Sequence, residues 1–216
     1  MKIRRICALF FSLLLVLTLA APALAADGTA DTAPPAEDTE PSEPVEPEEP
    51  EEPAGFSVEA KAALLIDPDT EEILYALNIY EPLYPASVTK IMTCLLVLEA
   101  IDKGKLKMDT VLTASESAIT AVPPDGSNVG IKVGEELNVE ELLYCIMLSS
   151  ANEGCNMLAE AVDGSIAAFV ERMNQKAQEL GCENTHFCNT NGLPDVNHYT
   201  TAWDLYLITK EARTYE

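Results

Sequence analysis

From Ile91 to Leu98 the chain is apolar at nearly every position, and this run constrains the fold more than any other stretch. A helix that is apolar all round has no face to give to water, so it has to lie inside a core. The helix is predicted from Ser87 to about Ile101. Pro85 stands just before it, where a proline does no harm, and Lys103-Gly104 ends it with a cation and a helix-stopping glycine. Lys90 sits at the edge of this apolar run, and Ser87 lies three residues earlier. On a helix an i, i+3 pair shares one face, so the hydroxyl and the amine stand one turn apart.

That pairing carries chemistry. Burial disfavours the charged form of a lysine and lowers its pKa, and a lysine of that kind can take a proton. The nearest hydroxyl on its face is that of Ser87, which gives a nucleophile with an adjacent base. At a helix N-terminus the backbone N–H groups also favour developing negative charge. The same residues allow a plainer account, in which Ser87 is a helix cap and Lys90 extends its amine to water. A second element is Ser150-Ala151-Asn152, which falls at a break between two apolar helical segments and offers a hydroxyl and an amide at one spot. Taken alone, it also reads as an ordinary turn.

The rest of the folded part, residues 55–216, alternates short extended pieces with helices. Ala62–Asp67 and Ile73–Asn78 read as two strands joined by a turn built on Asp67-Pro68-Asp69. The first strand is apolar on both faces and is predicted to be internal to a sheet. "DTVLTAS" is a short extended piece, and Val122–Leu137 reads as loop. Asn138 opens the next helix, with Glu140 and Glu141 in its first turn. Helical spacing resumes after the Ser150–Asn152 break and runs to Gly164. Ser165 caps a further helix with Ile166, Phe169, Met173 and Leu180 on one face. A long polar loop follows from Cys182, and Thr200 or Thr201 caps a last helix. Asp204 reads as a buried hydrogen-bond partner, and His186 and His198 as structural or surface residues. No spacing of histidine, cysteine and acidic residues forms a metal site, and no cofactor is expected. Cys94 and Cys145 read as buried thiols. Cys182 and Cys188 could close a short loop.

Residues 1–25 read as a secretory signal peptide: Lys2, Arg4 and Arg5, an apolar run from Ile6 to Ala20, then Ala23-Leu24-Ala25. Residues 26–54 are acidic and Pro-rich, a composition that cannot bury enough surface to offset the entropy of ordering. They read as an extended spacer. The net charge of −23 comes partly from this spacer, yet from Gly55 onward there are still 25 acidic against 10 basic residues. That balance excludes nucleic acid as a partner.

The combination of Ser87-Val88-Thr89-Lys90 with Ser150-Ala151-Asn152 resembles the penicillin-recognising serine enzymes, whose third element is K-T-G. "AALLIDPDTEEILYALN", "YPASVTKIMTCLLVLEAI", "MLSSANEGCNMLAEAV" and "NTNGLPDVNHYTTAWDLYLI" are similar to the low-molecular-weight D-alanyl-D-alanine carboxypeptidases. The resemblance implies an α/β (α+β) fold in which an antiparallel sheet is flanked by helices and joined to a helical subdomain. It implies an exported enzyme at the extracytoplasmic membrane face or cell wall. Ser87 would attack peptidoglycan stem peptides ending in D-Ala-D-Ala, Lys90 would take its proton, Ser150 would relay a proton to the leaving amine, and Asn152 would bind the substrate amide. β-Lactams would acylate the same serine. No K-T-G occurs, so the chain reads as stopping before that strand. The later sheet strands and the C-terminal segment that associates with membranes are then absent too. Two alternatives stay open: a serine β-lactamase, or a non-catalytic wall- or penicillin-binding module.

Overall fold

The computed structural model describes residues 58–215. The expected signal peptide and spacer lie outside the described residues. Within them the chain forms β1 (Ala63–Ile66), β2 (Ile73–Leu77), a 3-10 turn (Ala86–Thr89), α1 (Lys90–Asp102), β3 (Val111–Thr113), α2 (Glu116–Thr120), β4 (Glu136–Asn138), α3 (Val139–Leu148), α4 (Asn152–Asp163), α5 (Ile166–Glu179) and α6 (Ala202–Ala212).

α1 is the hub. Met92, Leu95, Leu96, Val97 and Ala100 are all fully buried, and the helix packs against α3, α4, α5 and α6. Its apolar character on every side is therefore matched by neighbours on every side. Leu142 and Ile146 of α3, Leu158 of α4, Phe169 and Met173 of α5 and Ile208 of α6 complete the core. α3 and α4 approach closely because Gly154 stands between them: a Cβ there would lie 2.9 Å from the Ile146 side chain. Asn138 caps α3 through a capping box with Glu141, Ser165 caps α5 and Thr201 caps α6.

β1 and β2 form an antiparallel pair in the register Ala63↔Leu77, and β3 pairs with β4. The structure departs from the sequence expectation at several points. Among the described residues β1 pairs with β2 alone, and Leu65, across from Tyr75, is 52% exposed rather than interior to a sheet. β4 lies at the end of a stretch that reads as loop, because three residues are too few to show a strand period. Ser115 caps the five-residue α2, which is too short to display a helical pattern. Cys182 and Cys188 are free thiols and close no loop; Cys94 and Cys145, also free, are half-buried. Ser87 itself stands in the 3-10 turn, one turn ahead of α1.

Candidate active site

Three segments converge where α1 begins. The first is the 3-10 turn, which carries Ser87 on an exposed position and leads into Lys90 at the first position of α1. In 3-10 geometry residues i and i+3 eclipse, so the two side chains stack more directly than on an α-helix. The second is the α3–α4 corner. Here Ser150 adopts φ +55°, a left-handed conformation costly for a residue with a side chain, and Ala151 is extended. The corner turns the Ser150 hydroxyl toward Ser87 and starts α4 at Asn152. The third is the loop Asn189–Leu193.

The geometry is tight. Ser87 Oγ lies 2.6 Å from Ser150 Oγ. Lys90 is 3% exposed and its Nζ donates to Ser87 Oγ at 3.2 Å, Asn152 Oδ1 at 2.8 Å and the Asn191 carbonyl at 2.7 Å. All four residues singled out in the sequence are thus brought together. Burial pulls the Lys90 pKa below its ordinary value, against the opposing influence of Cys155 and Glu153. Two of its acceptors are neutral carbonyls. If the amine is uncharged, its two hydrogens stay on Asn152 and Asn191 and its lone pair faces Ser87.

The third segment escaped the sequence reading, because it acts through a backbone carbonyl. Asn189 Oδ1 accepts from the N–H groups of Asn191 and Gly192, and Asn189 Nδ2 donates to the Leu193 carbonyl. This cradle aims the Asn191 carbonyl at Lys90. Gly192, at φ +89°, lies so close to the neighbouring turn that a Cβ would sit 1.7 Å from the Ala86 carbonyl oxygen. The signal available was "NTNGLP", an Asx-rich turn ending in glycine. Beneath it, Thr93 donates to the Thr190 carbonyl at 2.5 Å, and Thr190 donates to Asn156 at 2.7 Å. His198 is fully buried below the site. Its Nδ1 accepts from the Cys188 N–H at 3.1 Å, so Nε2 bears the hydrogen and donates to Thr89 Oγ1 at 2.8 Å. Asp204, also buried, accepts from the Asn184 N–H and the Thr185 hydroxyl. Beside the serine, Tyr84, Ala86, Leu193, Pro194 and Val196 wall a largely apolar recess of about 370 Å³.

The profile described as D-alanyl-D-alanine carboxypeptidase matches residues 46–216. The chain belongs to that family. It is 46% identical over 158 residues to D-alanyl-D-alanine carboxypeptidase DacF of Bacillus subtilis, a match covering 73% of this chain and 40% of that protein. Among solved structures, it is similar to D-alanyl-D-alanine carboxypeptidase DacD of Francisella tularensis, with 37% identity and a TM-score of 0.68 over 73% of this chain and 38% of that one. It is also similar to penicillin binding protein 5 of Haemophilus influenzae, with 33% identity and a TM-score of 0.70 over 74% and 46%. The α/β fold of these enzymes is therefore the fold of this chain. The chain spans about two fifths of the length of the curated relatives it matches. Among the described residues no helix is long and apolar enough to cross a membrane.

Proposed function

We propose that the chain carries the nucleophile half of an exported serine-type D-Ala-D-Ala carboxypeptidase acting on peptidoglycan stem peptides. The observation that carries this reading is the Ser87–Lys90–Ser150 cluster, with hydroxyl to hydroxyl at 2.6 Å and amine to hydroxyl at 3.2 Å. Neutral Lys90 takes the Ser87 proton as Oγ attacks the carbonyl of the penultimate D-alanine. The Ser87 backbone N–H supports the oxyanion. Ser150, in contact with Ser87, passes a proton to the nitrogen of the leaving D-alanine. Water then attacks the ester, which releases the shortened peptide and restores the serine hydroxyl. Asn152 orients Lys90 through its carbonyl oxygen and offers its amide group to the substrate. β-Lactams acylate the same hydroxyl. The basic, apolar and A-x-A order of residues 1–25 supports export, and the acidic, Pro-rich composition of residues 26–54 supports a spacer. Membrane-surface association is part of the same proposal.

The test is labelling of the full-length gene product with a fluorescent penicillin. Stable label on the wild type, lost in Ser87→Ala, is the expected result. Label that is released within seconds points to a β-lactamase, and label on any residue other than Ser87 removes the mechanism.

A further inference from the structure

Glu153 directly follows Asn152, and the serine–lysine chemistry makes no use of it. It is 2% exposed. A carboxylate in such a place is costly unless its oxygens are satisfied. Its partners are backbone: Oε1 accepts from Val129 N–H at 2.7 Å, Gly130 N–H at 3.1 Å and Ile131 N–H at 3.4 Å. Successive N–H groups turned onto one oxygen form an anion nest. Oε2 is buried and meets no hydrogen-bond partner among the described residues. The carboxylate therefore ties the first turn of α4 to the end of the loop that starts at Val122. That loop touches Asn152 twice. The Asn152 N–H donates to the Ser127 carbonyl at 3.0 Å. Gly126 comes so near that a Cβ there would lie 3.3 Å from Asn152 Nδ2.

We propose that Glu153 is a positioning residue: by holding Val129–Ile131 it clamps the loop 122–131 onto Asn152, and so fixes the amide that orients Lys90 and meets the substrate. The inference rests on the reading of Ser87 as the acylated nucleophile. Glu153 also acts on Lys90 through its charge. The titratable groups that act on the amine are Cys155 and Glu153, both on α4; the other contacts are the Ser87 hydroxyl and two neutral carbonyls. Burial pushes the Cys155 thiol up to about 12, so it is uncharged at neutral pH. Glu153 is left as the negative charge that favours the ammonium form.

Two variants of the full chain separate the roles. Acylation by a fluorescent penicillin is followed against pH, together with hydrogen exchange at the amides of 126–131. Glu153→Ala is expected to lower the acylation rate on the order of 100-fold, as for a displaced catalytic group, and to speed exchange at Val129–Ile131. Glu153→Gln keeps an oxygen for the nest. It is expected to preserve exchange protection and the alkaline rate, while the acid limb of the rate profile moves to lower pH. Wild-type acylation in Glu153→Ala overturns the inference, and so does an unmoved acid limb in Glu153→Gln. If the wild type takes no label, the acyl-enzyme reading fails by itself. Unchanged protection of 129–131 in Glu153→Ala then still overturns the clamp. Should Glu153→Ala fail to fold, the pH profile of Glu153→Gln decides.

Discussion

His198 is a residue whose protonation the fold resists. Burial pulls it down to about 4, against the opposing charge of Asp195, and both ring nitrogens are already engaged. Above the ordinary histidine pKa of 6.5 it is neutral folded or unfolded and makes no difference. Between 6.5 and 4 only the unfolded chain gains the proton, so stability is lost as pH drops through that window, by roughly 3 kcal/mol in all. His198→Asn should flatten urea-melting stability between pH 6.5 and 4, and a variant that keeps the wild-type slope would remove His198 as its source. Gly192 is a second residue with a single permitted identity. Gly192→Ala must move either its own loop or Ala86. The expected outcome is a loss of roughly 2 kcal/mol in denaturant melts and, because Ala86 precedes Ser87, acylation slowed on the order of 100-fold. Ser87, Lys90, Ser150 and Asn152 were legible because their side-chain types and spacing hold the information. Asn189, Asn191 and Gly192 were not, since their contribution is a carbonyl direction and a backbone approach that many sequences could supply.

α1 is held to α5 by more than apolar contact. Glu99, on the central helix, is almost fully buried and pairs with Lys103, Arg172 and Lys176. Burial alone would raise its carboxyl, but the hydrogen bonds from these three cations win and hold it at about 2, against an ordinary 4.5. Its contribution is complete above pH 4.5 and is lost as pH falls toward 2. Glu99→Gln should cost on the order of 3 kcal/mol at pH 7. The gap to wild type should close progressively below pH 4.5 in paired denaturant melts; a gap that is constant with pH would assign the loss to packing instead. The sequence could show only the Lys103 arm of this cluster, four residues from Glu99, because the other two cations lie 73 and 77 residues onward. Long helices with caps were legible: Asn138, Ser165 and Thr201 stand where the structure starts α3, α5 and α6. α2 and β4 were not, as neither spans two periods of its own pattern.

The described part of the molecule divides by how well each element is enclosed. α1 and α4 are buried over most of their length, with Asn152 to Ala159 of α4 almost continuously inside. The β1–β2 ribbon is only partly enclosed. Tyr75 and Ala76, on opposite faces of β2, and Ile79 just beyond its end are buried, but Leu65, directly across from Tyr75, and Leu74 are about half exposed. A two-stranded ribbon has little stability of its own. What fixes this one is α6, through the exposed Lys210–Glu71 pair at the β1–β2 turn and, just beyond β2, the Trp203 N–H to Ile79 carbonyl bond. Exposed ion pairs of this kind contribute little, so the buried apolar contacts carry the attachment. The ribbon should therefore open before the helical core does. Native-state hydrogen exchange is expected to show the amides of Ala63–Ile66 and Ile73–Leu77 exchanging through a local opening, while α1 and α4 exchange only with global unfolding. Ile79→Ala should lower protection in the ribbon first and leave the α1 amides tied to the global value. If ribbon and α1 amides instead report one common free energy in the wild type, the two form a single cooperative unit, and the Ser87-bearing turn at Ala86–Thr89 is braced by the ribbon as firmly as by α1.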